Sequence, residues 1–179
     1  NPNVTFSGRK ILNYLIFSNP EAVVVHRINE CDERKNTKTM NLKLRTINYI
    51  ADHTVFIASW LKNLNVWRQD SPNSVLLIGA NQELFFPSKE KGWNSKEPLS
   101  LVTHHWGGNR LKGFDVYEYI DKLLDQPLWA SKITFTYIGN LPKDSNFKNV
   151  KHIQPLDGKE LADSIREHDI YLTASINEP

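Results

Sequence analysis

Two cations stand where an anion could be held. In the segment LVTHHWGGNRLKGFDVY (101–117) an apolar run ends at His104 and His105, and a turn follows at Gly107, Gly108 and Asn109. Arg110, Lys112 and Gly113 then precede an amphipathic run. In open α/β sheets ligands bind beyond the carboxyl ends of strands. Backbone N–H groups at a helix start, with the helix dipole, favour negative charge there. Cations at that place oppose the dipole and are more easily explained by a bound phosphate; for Arg110 and Lys112 a solvated basic turn and a phosphate site are both open. Gly107, Gly108 and Gly113 shape the loop and let backbone approach a ligand closely. No Ser or Thr follows the Lys-Gly pair and no G-x-G-x-x-G run is present, so this is neither a Walker loop nor a dinucleotide fingerprint.

Other reactive types are scattered. Neighbours on a strand point to opposite faces, so His104 and His105 are not expected to chelate one ion together, and one of them is read as lining a pocket. No H-E-x-x-H and no carboxylate-rich calcium loop occurs, and no metal is expected. His26 and Arg27 end an apolar run; for His26 a buried structural role and a site role are both open. Cys31 has no His-plus-Asn arrangement tied to it, so a catalytic thiol is not expected. Asp32 and Glu33 lie among Arg27, Arg34, Lys35 and Lys38 and suit a mixed-charge surface loop. Glu178, after a strand-like run and Ser175, could grip ligand hydroxyls.

The elements that must position these residues alternate. Short Val- and Ile-rich runs at 22–28, 53–58, 74–78, 99–105, 133–138, 150–153 and 170–174 suit strands, with 22–28 and 170–174 read as central ones. Amphipathic runs at 41–51, 60–64, 114–124 and 158–167 suit helices. In the third of these, Val116, Tyr119, Ile120 and Leu123 form the expected inner side. Strand–helix–strand alternation implies α/β units with parallel sheets and crossover connections. INYIADHTVFIAS (47–59) and DSIREHDIYLTAS (163–175) share a form: a helix end, Asp52 or Asp169, then a strand ending Ala-Ser. Two similar halves are therefore expected, divided by the charged run 87–98: domains at 1–87 and 88–179.

Composition sets outer bounds. With 179 residues, 40% hydrophobic and 23% charged, the chain is globular rather than disordered. A formal charge of +2 gives no whole-chain footprint for nucleic acid or an anionic membrane. One cysteine excludes a disulfide framework and suits a reducing compartment. The chain begins at Asn1 and stops after Glu178-Pro179, so both ends read as cut.

Several segments together resemble the retaining glycosyltransferases built from two Rossmann-like domains (the GT-B type), specifically glycosyltransferase family 4. ADHTVFIASWLK (51–62) resembles a segment of that family's acceptor domain. LLIGANQELFFP (76–87) is similar to its hinge, with Gly79, Phe85 and Pro87 matching but Ile78 and Asn81 departing from the usual Asn and Asp. LVTHHWGGNRLKGFDVY resembles the first strand, basic loop and K-G-x-D of the donor domain, and FTYIGN (135–140) the next strand. The run 150–179 resembles the stretch that opens the family's paired-Glu motif.

The resemblance implies a donor nucleotide-diphosphate sugar, such as a UDP- or GDP-sugar, whose sugar passes to a hydroxyl of a glycan or lipid-linked acceptor with retention at the anomeric carbon and without an essential metal or cofactor. It implies Lys112 and Arg110 on the diphosphate, Glu178 on the donor sugar, Gly139 and Asn140 beside the nucleoside, and His26 and Arg27 facing the acceptor. It implies a role in polysaccharide synthesis in the cytoplasm, with peripheral association of the intact protein at the inner face of the membrane, and no nucleic-acid partner. Both domains would be incomplete in this chain: the later part of the acceptor domain and the earlier part of the donor domain. The chain alone is then expected to bind donor weakly and not to turn over. A nucleotide-sugar 2-epimerase on the same fold and a non-catalytic glycan-binding relative are the alternatives.

Overall fold

The computed structural model describes residues 7–87 and 92–176. They divide into two compact units, 7–79 and 80–176. In chain order the elements are α1 (Gly8–Phe17), β1 (Val25–Ile28), α2 (Asp32–Lys35), α3 (Met40–Asn48), β2 (His53–Phe56), β3 (Asn73–Val75), β4 (Leu99–His105), α4 (Phe114–Leu123), α5 (Pro127–Ala130), β5 (Ile133–Gly139), β6 (Lys151–Ile153), α6 (Gly158–Arg166) and β7 (Ile170–Tyr171). Short 3-10 turns cover Ser59–Asn63 and Arg110–Lys112. Both sheets are parallel throughout, so the α/β reading holds in each unit.

The first unit carries a three-stranded sheet, β1-β2-β3. Its core gathers Ile28, Leu44, Phe56, Leu61, Val66 and Trp67, with Trp67 meeting Phe56 edge-on at 5.1 Å between ring centroids. α1 starts where the Ser7 side chain accepts the N–H of Lys10 at 3.2 Å. It contains no buried residue. β1 alternates exposed and buried residues and lies at a sheet edge, unlike the central, doubly buried strand expected at 22–28. In α3 the buried positions are Leu44 and Asn48, while Leu42 is exposed.

The second unit is a sheet of order β6-β5-β4-β7 between helices. β5 is buried at five successive positions, as a strand covered on both faces must be. One face packs Phe114, Tyr117, Phe135, Tyr137 and Val150; the other packs Val102, Ile138 and Leu161 with Phe85, Leu156 and Ile165. α4 turns Phe114, Tyr117 and Asp121 inward, whereas Val116 and Tyr119 are exposed. The inner face is thus rotated from the expected one, because the aromatic rings of Phe114 and Tyr117 bury more apolar area than Val116 does. β7 is exposed and lies at the sheet edge rather than centrally.

The division between units falls after Gly79, ahead of the boundary expected at residue 87. The intervening residues belong to the second unit for a local reason. Arg166 donates to the carbonyls of Leu84 at 2.7 Å and Phe86 at 3.4 Å, and its guanidinium lies 4.1 Å from the Phe86 ring centroid.

Candidate functional site

The carboxyl edge of the second sheet brings three loops together. β4 and β5 run in register to their ends, with His105 opposite Gly139. Gly139 has φ +136, and a Cβ there would lie 1.8 Å from the His105 carbonyl oxygen. Only glycine fits. Gly108 approaches the backbone of the following loop in the same way, since its Cβ would sit 2.5 Å from the Leu141 oxygen. The 106–109 and 140–142 loops are therefore packed backbone to backbone. Asn140 reinforces this by donating its side-chain amide to the Trp106 carbonyl at 2.6 Å. Gly107 meets no heavy atom within 4 Å.

After that loop, the Asn109 side chain accepts the N–H of Leu111 at 3.0 Å and starts the Arg110–Lys112 turn. Gly113 ends the turn at φ 94 and starts α4. A Cβ on Gly113 would stand 2.6 Å from the Ala174 Cβ, so the segment after β7 lies directly on this turn. Ile176 N–H donates to the Leu111 carbonyl at 2.8 Å, and the Ser175 hydroxyl to that of Lys112 at 3.4 Å. Beneath them the buried Tyr117 hydroxyl accepts the Ala174 N–H at 3.1 Å and lies 2.9 Å from His105 Nε2. One phenol thus ties the end of β4 to the segment beyond β7.

Lys112 and His104 belong to this edge. His104 Nδ1 lies 3.0 Å from the Tyr171 hydroxyl. Burial, and then the Lys112 charge, hold the His104 imidazole below its ordinary pKa. A hollow of about 190 Å³ adjoins His104, lined among others by His105, Trp106, Gly139 and Asp157. Asp157 is the residue before α6, so the hollow reaches that helix start. Both histidines line it, where one was expected.

Arg110 is placed differently from Lys112. Its guanidinium is shared by Asp115 at 2.8 Å, Glu118 at 2.9 Å and Asp144 at 3.1 Å. The hydrogen bonds it donates to Glu118 and Asp115 raise its pKa further, and Arg110 in turn holds the Glu118 carboxyl below its usual range. Two acids of the adjoining helix α4 and one of the loop after β5 account for this cation without a phosphate. Glu178 lies outside the described residues. Gly139 lines the hollow, but the side-chain amide of Asn140 is committed to the Trp106 strap.

In the first unit, His26 and Arg27 point to opposite faces of β1, His26 buried and Arg27 exposed. His26 Nδ1 receives a hydrogen bond from the Asn48 amide at 3.0 Å, and that amide also donates to Thr54 Oγ1 at 2.8 Å. Burial pushes the His26 pKa down to about 4. These contacts give His26 a structural role. Cys31 is fully buried and its thiol is pushed up to about 11 by burial, the opposite of an activated nucleophile. Asp32, expected on a solvated loop, instead caps α3 by accepting the N–H of Met40 at 2.8 Å and of Asn41 at 3.1 Å. Among the described residues no three His, Cys, Asp or Glu side chains are grouped to hold a metal ion.

Sequence reasoning missed Tyr117, Tyr171 and Asp157. Asp157 carried a signal, an acid directly before a helical run. The tyrosines carried none, because their partners are distant in the chain: 57 residues from Tyr117 to Ala174 and 67 from Tyr171 to His104. No family model, curated protein or solved structure matches this chain.

Proposed function

We propose that the second unit is the donor-binding part of a GT-B retaining glycosyltransferase, which moves a sugar from a nucleotide-diphosphate sugar to a hydroxyl acceptor. The observation that carries this reading is a hollow lined by His104, His105 and Gly139 at the carboxyl edge of parallel strands, with the Lys112 charge near enough to act on His104. That edge is where open α/β sheets bind ligands. Departure of a nucleoside diphosphate leaves negative charge on the phosphate oxygens, and a preorganised cation there is worth more in the transition state than in the ground state. Lys112 is that cation in this reading. The hollow beside Gly139 takes part of the nucleoside, and Glu178 holds donor-sugar hydroxyls. Arg110 has a supporting part: it keeps the loop and α4 together through its acids. On the acceptor side, Arg27 is exposed and suited to contact, while His26 supports the interior.

The test is two-dimensional NMR of the 179-residue chain titrated with UDP and with GDP to millimolar concentration. Expected are shifts at residues 104–113, 139–140 and 155–158, weakened roughly tenfold or more in Lys112→Ala, as for the loss of a charge-assisted contact. Shifts elsewhere, or none at either nucleotide, would remove the reading.

A further inference from the structure

Tyr117 is fully buried and is not among the residues that line the hollow. Its ring packs with Phe114, Phe135 and Tyr137, work that a phenylalanine would do as well. The hydroxyl is the part that needs a reason, because a buried hydroxyl costs stability unless its one proton and two lone pairs find partners. All three are used here. The phenolic oxygen accepts the Ala174 N–H at 3.1 Å and the Thr103 hydroxyl at 3.3 Å, which leaves its proton for His105 Nε2 at 2.9 Å. Two of these partners end β4 and the third lies beyond β7, so the hydroxyl of one helix joins two other segments of the chain.

Beyond Ala174 the same segment reaches the turn that carries Lys112. Ser175 donates its hydroxyl to the Lys112 carbonyl at 3.4 Å, and Ile176 its N–H to the Leu111 carbonyl at 2.8 Å. No residue of the Arg110–Lys112 turn is buried, so core packing does not fix the turn and backbone hydrogen bonds must. In the other direction His105 lines the hollow. One hydroxyl therefore stands between a wall of the hollow and the support of the cation beside it. A charge-assisted contact depends closely on where its donor is held, and a small misplacement weakens it.

We propose that Tyr117 is a positioning residue: through Ala174 its hydroxyl sets the Lys112 turn against the hollow, and so sets how firmly the site holds a nucleoside diphosphate. This deepens the donor-site reading and rests on it. Tyr117 itself touches no ligand and acts only through the 174–176 segment.

The experiment is a double-mutant cycle. UDP and GDP are titrated by two-dimensional NMR into the 179-residue chain, Tyr117→Phe, Lys112→Ala and the two substitutions together. Tyr117→Phe keeps the ring in the core and should still melt cooperatively. Expected is a roughly fivefold loss of affinity, the scale of one neutral hydrogen bond, with faster amide exchange at Ala174 and Ile176. The double variant should bind no more weakly than Lys112→Ala alone, because without the ammonium nothing is left to position. A phenol that served the fold alone would show the same loss with and without Lys112. That result, or an affinity unchanged by Tyr117→Phe, would overturn the proposal while leaving the donor-site reading in place. Failure of the unaltered chain to bind either nucleotide would remove that reading and the proposal with it. Should Tyr117→Phe not fold, Ser175→Ala repeats the cycle at the far end of the path with the aromatic core intact. A loss that vanishes without Lys112 is again expected, and one that persists, or no loss at all, counts against the proposal.

Discussion

Asp169 holds Ser100 from both sides of the peptide: its carboxylate accepts the Ser100 N–H at 2.8 Å and hydroxyl at 2.6 Å, while its own N–H donates to the Ser100 carbonyl at 3.0 Å. Asp52 does the same to Val24 in the first unit, accepting its N–H at 2.8 Å and donating to its carbonyl at 2.9 Å. Each Asp immediately precedes a strand and grips the start of the neighbouring parallel strand. Parallel strands lack a hairpin turn to set their register. An aspartate clamp supplies it, and the sequence echo between 47–59 and 163–175 is the trace of that shared device.

Replacing Asp169 by Ala should cost about 1.5–3 kcal/mol, the range for hydrogen bonds to a charged group. Asp52→Ala should cost less, because Asp52 is exposed and water replaces its partner. Urea denaturation of the two variants measures the order.

Glycines of the site separate into those with a packing reason and one without. Gly139→Ala places a methyl against the His105 carbonyl in a backbone region that alanine avoids, and should destabilise by more than about 3 kcal/mol. Gly107→Ala meets open space and should leave the melting temperature unchanged. Thermal melts of the pair provide the comparison.

Acid sensitivity should centre on His26. Its pKa falls from 6.5 to about 4 on folding, mainly through burial. The unfolded chain therefore binds the proton more readily between those values, and stability is present above about 6.5 and lost as pH falls towards 4. The contribution is about 3 kcal/mol, since one pKa unit is worth about 1.4 kcal/mol. His26→Gln should flatten this part of the profile. Denaturation at pH 4.5 and pH 7 compares the two chains.

Lys112 and Arg110 should part company. Lys112→Ala should weaken nucleotide binding with the fold unchanged. Arg110→Ala releases Asp115, Glu118 and Asp144 from their shared partner, so its smaller effect should fall on loop order and vary with salt. Titrations with UDP at low and high ionic strength discriminate between them.

Legibility in the sequence followed the range of the interactions. β4 was readable end to end, 99–105, because an apolar run there is bounded by Pro98 and the glycines. α6 was readable at 158–167 from helical spacing, and its buried positions are Leu161 and Ala162. α1 was not, since none of its residues is buried in a core and its N-cap is one serine. The inward turn of Asp121 was equally hidden. Its carboxylate accepts the N–H groups of Lys148 at 3.1 Å, Asn149 at 2.7 Å and Val150 at 2.8 Å, partners 27 to 29 residues away. At the site, spacing marked the Lys112 turn and the Gly139 strand end. It gave no sign that Arg110 would be claimed by acids, because Asp144 lies on another loop.

The clamp on Ser100 also orders assembly in time. β4 and β5 pair along seven positions, whereas β7 adds two and joins its neighbour across 69 residues of chain. Closing so long a loop costs entropy before the few contacts return anything. Loop-closure entropy therefore predicts that β5 pairs with β4 before β7 docks and brings Ala174 onto Gly113 and Ser175 onto Lys112. On that expectation the surroundings of Lys112 open before the β4–β5 pair does, which faster amide exchange at Leu172 and Ala174 than along β5 would show.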